Sequence, residues 1–251
     1  MATEPRREGA LHPSPPLVLL AGVHTALFLG SLVLTGVLTR GEHFPSPFIP
    51  SAAALDFFSR YPVAVRWSAF LQLGAALPLG LFAATAASRL HFLGVRAAGA
   101  AIALFGGIGA AVLLAFSATL QWALASPELI ASPGAVRSLH LLAFATGGPA
   151  YVESLGILLA GLAVTGGLNR LLPTWMMVSG LVTAALAELG WFSLVLPAAS
   201  VLLPVARFPG LAWLIAAGTV LPRRRKGARE PFPLTLPAQA ISAGRPARET
   251  R

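Results

Sequence analysis

Two glutamates are the residues of this sequence whose type and surroundings most favour chemistry. Glu153 and Glu188 each lie in a long apolar run. Gly180 and Ala184 precede Glu188 at four-residue intervals, which predicts a small-residue helix face suited to close packing. An ionisable group is costly in hydrocarbon and usually faces a partner, so both carboxylates are expected to point into a helix bundle. In that position they could bind a proton or a small ligand.

Two further polar residues are predicted to reach the same level of the bilayer. A helix rises about 1.5 Å per residue, which puts Glu153 and Glu188 about 20 Å from the inner boundary. Gln72 and Arg207 lie about 8 to 10 Å from the outer boundary by the same measure. We therefore expect Arg207 to pair with one or both glutamates, while Gln72 and Gln121 complete the hydrogen bonds. Two interpretations of this layer are open: it only fixes the register of the helices, or it takes up a proton or a small ligand from outside.

An interruption of the apolar pattern precedes Glu153 by about one helical turn. The segment Gly147-Gly148-Pro149 predicts a kink, because proline removes an amide donor and leaves carbonyls free that could line a cavity. A kink that only improves packing is the alternative. His24 and His140 are predicted at different depths, which argues against one shared metal site. Each histidine is interpreted as a hydrogen-bonded packing residue, with haem ligation as the alternative.

The composition identifies lipid as the solvent of the chain. Of 251 residues 56% are hydrophobic and only 11% are charged, and the mean hydropathy is +0.75. The absence of cysteine excludes disulfides, thiolate metal sites and cysteine nucleophiles. The net charge of +9 lies mostly in the ends and short loops, so no nucleic-acid partner is predicted. No metalloprotease, phosphate-loop or dinucleotide motif is present, and the sequence predicts no catalytic residue, metal or cofactor.

Six apolar segments position these polar residues. About 20 apolar residues suffice for a helix to cross a hydrocarbon core of about 30 Å. The predicted fold class is therefore all-α, an integral membrane bundle of six transmembrane helices. The predicted spans are 17–39, 67–87, 97–124, 139–168, 175–196 and 201–221.

The distribution of arginines predicts the orientation. Basic residues are concentrated on the side that holds both chain ends, which favours a bacterial cytoplasmic (inner) membrane with both termini in the cytoplasm. The predicted parts are a cytoplasmic segment 1–16, a membrane domain 17–221 with an outer amphipathic loop 40–66, and a disordered basic cytoplasmic tail 222–251. The lipid bilayer is the predicted partner, and nothing in the sequence identifies a protein partner. Anionic lipid headgroups are expected at Arg223, Arg224, Arg225 and Lys226.

The outer loop is predicted to contain a short amphipathic helix. Ser51 is a plausible helix cap, and Leu55, Phe58 and Tyr61 could share one face that lies on the lipid surface. A lid packed on the protein is the alternative.

Three segments carry a resemblance to a known family. They are Leu55-Asp-Phe-Phe-Ser-Arg-Tyr-Pro, Ser138-Leu-His-Leu-Leu and Leu171-Leu-Pro-Thr-Trp175. Their layout resembles that of a family of small bacterial multi-helix membrane proteins known as a domain of unknown function. The resemblance covers most of the chain outside its ends, and it implies a membrane bundle without implying an activity.

The leading hypothesis is a non-enzymatic membrane protein whose Glu/Gln/Arg layer is structural or binds a proton or small ligand. The first alternative is a small proton-linked transporter or channel component that uses Glu153 and Glu188. The second is a haem- or quinone-binding redox subunit or a membrane enzyme.

Overall fold

The computed structural model describes residues 11–224, in which most of the chain is helical. The predicted segments 1–16 and 222–251 lie mostly outside the described residues, and Arg225 and Lys226 lie wholly outside them. In the described range the α-helices are α1 (Leu17–Leu38), α2 (Ser51–Arg60), α3 (Pro62–Phe92), α4 (Gly99–Leu124), α5 (Pro127–Ile130), α6 (Pro133–Ala145), α7 (Tyr151–Leu168), α8 (Thr174–Leu189) and α9 (Leu202–Val220).

The predicted fold class is confirmed, because six helical segments are long and apolar enough to cross a membrane. The fourth of them is continuous through α6 and α7, and the fifth and sixth are extended by short 3-10 turns next to α8 and α9. Within residues 11–224 there is no strand, and one isolated antiparallel bridge joins Leu11 to Arg224. The six segments are Leu17–Leu38, Pro62–Phe92, Gly99–Leu124, Pro133–Leu168, Thr174–Leu194 and Pro197–Val220.

Small residues let the helices approach each other closely. A Cβ atom on Gly161 of α7 would lie 2.6 Å from the amide nitrogen of Ala103 on α4. A Cβ atom on Gly107 of α4 would lie 2.2 Å from the Cβ of Ala83 on α3. Without a hydrophobic driving force between helices in lipid, such backbone approaches are a main source of association. They hold α3, α4 and α7 together as the centre of the bundle.

The two described chain ends meet at one end of the bundle, which we name the terminal end. Arg89 at the end of α3 is fully buried there. Its guanidinium donates hydrogen bonds to the carbonyls of Pro15 at 3.2 Å and Leu221 at 3.4 Å, and to the hydroxyl of Ser14 at 3.2 Å. One cation therefore ties the segment before α1 to the end of α9.

The opposite end, which we name the loop end, is covered by residues 39–61. The prediction that the apolar face of α2 lies on lipid is wrong, because Phe57 and Phe58 are buried against Leu124 and Val136 of the bundle. The alternative interpretation, a lid packed on the protein, describes how α2 lies on the bundle. The predicted cap at Ser51 is also wrong, since Pro50 precedes the helix and no side chain caps it.

Candidate functional site

A cavity of about 860 Å³ lies beneath the loop end, within the membrane-spanning part of the bundle. The elements around it are α1, α3, α4, α6 and α9, and the segment 41–48 covers it. Of the residues singled out from the sequence, the cavity walls contain Gln72, Gln121, His140, Gly147, Gly148 and Arg207.

A ring of hydrogen bonds joins α3 to α4 at one wall. Gln121 Nε2 donates to Gln72 Oε1 at 3.0 Å, Gln72 Nε2 donates to Ser68 Oγ at 3.2 Å, and Ser68 Oγ donates to Gln121 Oε1 at 3.4 Å. Gln121 Nε2 also donates to Ser117 Oγ at 3.4 Å. The Gln72 amide makes a single donated bond, so it retains one N–H for a further acceptor.

Ser68 and Ser117 are functional candidates that the sequence interpretation missed. Each serine precedes its glutamine by four residues, so the pattern Ser-x-x-x-Gln occurs once on α3 and once on α4. Residues four apart lie on one face of a helix. This repeated spacing is the signal that could have identified the polar pair in advance.

Arg207 of α9 lies at another part of the cavity wall, between two aromatic rings. Its guanidinium carbon is 5.3 Å from the centre of the Phe28 ring and 5.1 Å from the centre of the Tyr151 ring. Nη2 donates a 2.6 Å hydrogen bond to the carbonyl of Gly147. Nε is buried and has no hydrogen-bond partner. A guanidinium has five N–H donors, so most of the donors of Arg207 are left for another acceptor.

The interruption at Gly147-Gly148-Pro149 supplies the carbonyl that holds Arg207. Residues Thr146–Ala150 form a π-helical turn. The backbone amides at the end of this turn donate to the carbonyls of Thr146 and Gly148, and so do not engage that of Gly147. The π turn therefore leaves the Gly147 oxygen to accept from Arg207, and π turns inside α-helices are frequent at functional sites.

The expected pairing of Arg207 with Glu153 or Glu188 is wrong, because neither carboxylate forms an ion pair with it among the contacts in residues 11–224. The reason is helical rotation. Arg207 contacts Gly147 and Tyr151, whereas Glu153 lies about 200° around α7 from Tyr151. Glu153 consequently points away from the cavity.

The two glutamates instead lie together at the contact between α7 and α8. The carboxylate Oε1 of Glu188 is 3.0 Å from the place that a Cβ on Gly156 would take. Glu153 precedes Gly156 by three residues, so it lies on the same face of α7. Both side chains are partly exposed. The single predicted layer is therefore two separate groups, an Arg/Gln/Ser cavity and a glutamate pair on the far side of α7.

The acidic residue that lines the cavity is Glu42, at its covering segment. Its carboxylate accepts hydrogen bonds from Arg60 at 3.2 Å and from the hydroxyl of Tyr61 at 3.0 Å. Arg60 is shared with Asp56, to which it also pairs. Among residues 11–224 Glu42 forms no ion pair with Arg207, so this cation of the cavity has no acidic partner there.

Both histidines have structural partners. His24 Nδ1 donates to the carbonyl of Ala75 at 2.8 Å, and its Nε2 is 3.4 Å from the hydroxyl of Tyr151. A carbonyl only accepts, so Nδ1 carries the proton and Nε2 accepts from Tyr151. His140 Nε2 donates to the carbonyl of Pro45 at 3.0 Å and holds the segment 41–48 over the cavity. These contacts agree with packing roles for both residues.

No family model, curated protein or solved structure matches the chain. The six membrane-spanning helices are compatible with the resemblance to a family of small multi-helix membrane proteins. No family model supports that resemblance.

Proposed function

We propose that the protein binds a small anionic ligand within the membrane, in the cavity beneath its loop end. The observation that carries the proposal is Arg207, a cation that borders this cavity and has no acidic partner among residues 11–224. A guanidinium in hydrocarbon is rare and marks a ligand or ion pathway when no internal counter-charge meets it. Carboxylate and phosphate groups are the anions whose geometry matches the donors of arginine.

The contacts that Arg207 makes within the protein compensate its burial only in part. A hydrogen bond to a neutral carbonyl contributes little compared with an ion pair, and each aromatic ring contributes about 0.5–2 kcal/mol. An anion would supply the missing charge and accept from the unpartnered Nε. The remaining N–H of Gln72, at the α3–α4 wall, provides a second donor.

The rest of the cavity suits an apolar group attached to the anion. Phe28, Leu32, Phe48 and Phe144 line it beside the polar walls. Its volume of about 860 Å³ falls in the range of about 300–1,000 Å³ that is common for small-molecule sites. The ligand is accordingly an amphiphile with one anionic group.

Anion binding is favoured over the proton-linked alternative by the position of the glutamates. Glu153 and Glu188 lie outside this cavity, on the side of α7 that faces α8. A proton carried by that pair would not pass through the Arg207 cavity.

The test compares binding by the natural protein with binding by Arg207→Gln. The probe is decanoate, titrated calorimetrically into the protein in phosphatidylcholine discs. A charge-assisted hydrogen bond contributes about 1.5–3 kcal/mol, so we expect affinity to fall by about 10- to 100-fold. Arg66→Gln is the matched control, since Arg66 donates to the carbonyl of Ala125 outside the cavity. Absence of decanoate binding to the natural protein, or equal affinity in Arg207→Gln, would contradict the proposal.

We also propose that the chain lies in a bacterial cytoplasmic membrane with both termini in the cytoplasm. The support is the excess of arginine and lysine on the side that holds the chain ends. In this orientation Arg223 and Arg224, with Arg225 and Lys226 beyond the described residues, would contact anionic headgroups.

A further inference from the structure

Helices α1 and α9 pack tightly at the terminal end of the bundle. A Cβ atom on Gly218 of α9 would lie 2.7 Å from the amide nitrogen of Val18 and 2.9 Å from the carbonyl carbon of Leu17. The two backbones therefore touch, and no side chain fits between them at this level.

The same helix faces separate toward the loop end. Gly36 lies 18 residues beyond Val18, which is about five full turns, so both are on one face of α1. Arg207 lies 11 residues before Gly218, which is about three turns, so these two share a face of α9. Gly36 and Arg207 both border the cavity. The faces of α1 and α9 that touch at Val18 and Gly218 are thus separated by the cavity nearer the loop end.

The gap between these helices has apolar, exposed edges. Val33 and Val37 of α1 line the cavity and are 67% and 68% exposed. Pro204 of α9 lines it from the other side and is also exposed. All three lie within membrane-spanning segments. The surroundings of this opening are therefore acyl chains.

The side toward the aqueous phase is closed by contacts of a different kind. Arg137 Nη1 donates to the carbonyl of Pro47 at 2.7 Å, and His140 donates to that of Pro45. Phe44 packs against Phe57, Phe58 and His140 above the cavity. The segment 41–48 is thus fastened over the cavity, whereas the α1–α9 side is open.

We infer that the ligand is a membrane-borne, single-chain amphiphile with a carboxylate or phosphate head, which enters sideways from the bilayer between α1 and α9. This inference rests on the proposed anion site. The head accepts hydrogen bonds from Arg207, and the chain passes between Val33 and Pro204 into the lipid. One chain fits because the gap closes toward Gly218, where the backbones touch.

The test uses a spin-labelled stearate as the membrane-borne probe. The protein is reconstituted in phosphatidylcholine vesicles, and the motionally restricted fraction of the probe is measured by electron paramagnetic resonance. Acetate and inorganic phosphate, titrated calorimetrically into the protein in discs, serve as water-borne probes of the same head chemistry.

Gly36→Phe fills the gap, and Gly30→Phe is its matched control. A Cβ on either glycine meets nothing within 4 Å, so both substitutions are sterically open. Gly30 does not line the cavity. We expect Gly36→Phe to reduce the affinity for stearate at least tenfold. Since the segment 41–48 closes the aqueous side, acetate and inorganic phosphate should bind the natural protein at least tenfold more weakly than stearate. Gly30→Phe should leave all probes unchanged, and Arg207→Gln should weaken binding of all of them.

The possible results separate this inference from the function on which it rests. Equal stearate binding by Gly36→Phe and the natural protein would overturn lateral entry, as would acetate binding as tightly as stearate. In both cases a loss of binding in Arg207→Gln would leave the anion site standing. If Arg207→Gln binds every probe as the natural protein does, the anion site and lateral entry both fail.

Discussion

Arg207 and the two glutamines solve the problem of burial in different ways. Gln72 and Gln121 satisfy each other through a closed ring with Ser68. Arg207 has a carbonyl and two aromatic faces, but no counter-charge from the part of the chain that the structure describes. A neutral ring of this kind fixes the register of two helices, whereas an unbalanced cation creates a demand for an anion. The ring therefore has a structural role in joining α3 to α4, and the ligand-binding interpretation rests mainly on Arg207, with the remaining N–H of Gln72 as a second donor.

The glutamine ring predicts a stability loss that is specific to a single substitution. Gln121→Leu removes the donor to Gln72 Oε1 and leaves polar atoms of Gln72 and Ser68 without partners. Leaving such groups unsatisfied costs about 1–3 kcal/mol, so the free energy of unfolding should fall by this amount in a denaturation titration in mixed micelles.

The double variant Gln72→Leu/Gln121→Leu is the control for that loss. It removes both amides, so it should be more stable than Gln121→Leu alone. Thr119→Val should change little, since the Thr119 hydroxyl bonds only within its own helix and is exposed. If the double variant loses as much stability as Gln72→Leu and Gln121→Leu measured separately and added, the ring contributes no coupling between α3 and α4.

At the scale of the elements, the π turn in the fourth span determines where the cavity lies. Gly147 is close to α4, because a Cβ there would lie 2.2 Å from Ser117 Oγ. The Ser117 hydroxyl in turn donates to the carbonyl of Ala143 at 2.8 Å. The turn is thus held against α4 on one side while its Gly147 carbonyl faces Arg207 on the other. A small residue is required at this point by the approach of α4.

Gly147→Ala should therefore destabilise the bundle. The added methyl would force α4 and the π turn apart or displace the Ser117 hydroxyl, and overpacking of this kind costs about 1–3 kcal/mol. Gly30→Ala is the matched control, because nothing lies within 4 Å of its Cβ position. It should stabilise α1 by about 0.5–1 kcal/mol, since alanine is the better helix former. Equal shifts of the unfolding midpoint in the two variants would contradict the close contact at Gly147.

At the scale of the whole molecule, the six crossings bring the two described chain ends together. Leu11 lies beside Arg224, as an even number of crossings requires. Arg89 fastens both segments, so the closed terminal end opposes the open cavity near the loop end. The proposed orientation places that cavity toward the outer leaflet.

Cysteine labelling tests this orientation, because the natural chain has no cysteine. Ser132 lies at the loop end and Asn169 at the terminal end, and both are exposed. In intact cells a membrane-impermeant maleimide should label Ser132→Cys, whereas Asn169→Cys should react only after the membrane is disrupted. The reverse pattern would invert the orientation, and reaction at both sites in intact cells would contradict a crossing by the fourth span.

Several parts of this architecture can be predicted from the sequence because they depend on contiguous residues alone. A run of apolar residues long enough to cross the bilayer must form a helix, since lipid offers its backbone no hydrogen-bond partners. The same holds for the interruption at Gly147-Gly148-Pro149, where proline lacks an amide proton. The spacing of Ser68 and Gln72, repeated at Ser117 and Gln121, was equally readable from the sequence.

The tertiary structure alone decided which polar groups meet. Glu153 and Arg207 were expected at the same depth, and depth follows from counting residues along a helix. The side to which each points depends on how far a helix is rotated about its axis, and neighbouring helices set that rotation through packing. Tyr151 and Gly147 occupy the side of the fourth span that faces Arg207, so Glu153 is turned toward α8. Arg207 therefore faces the cavity without a glutamate beside it, because packing between helices that are distant in sequence sets the rotation of the fourth span.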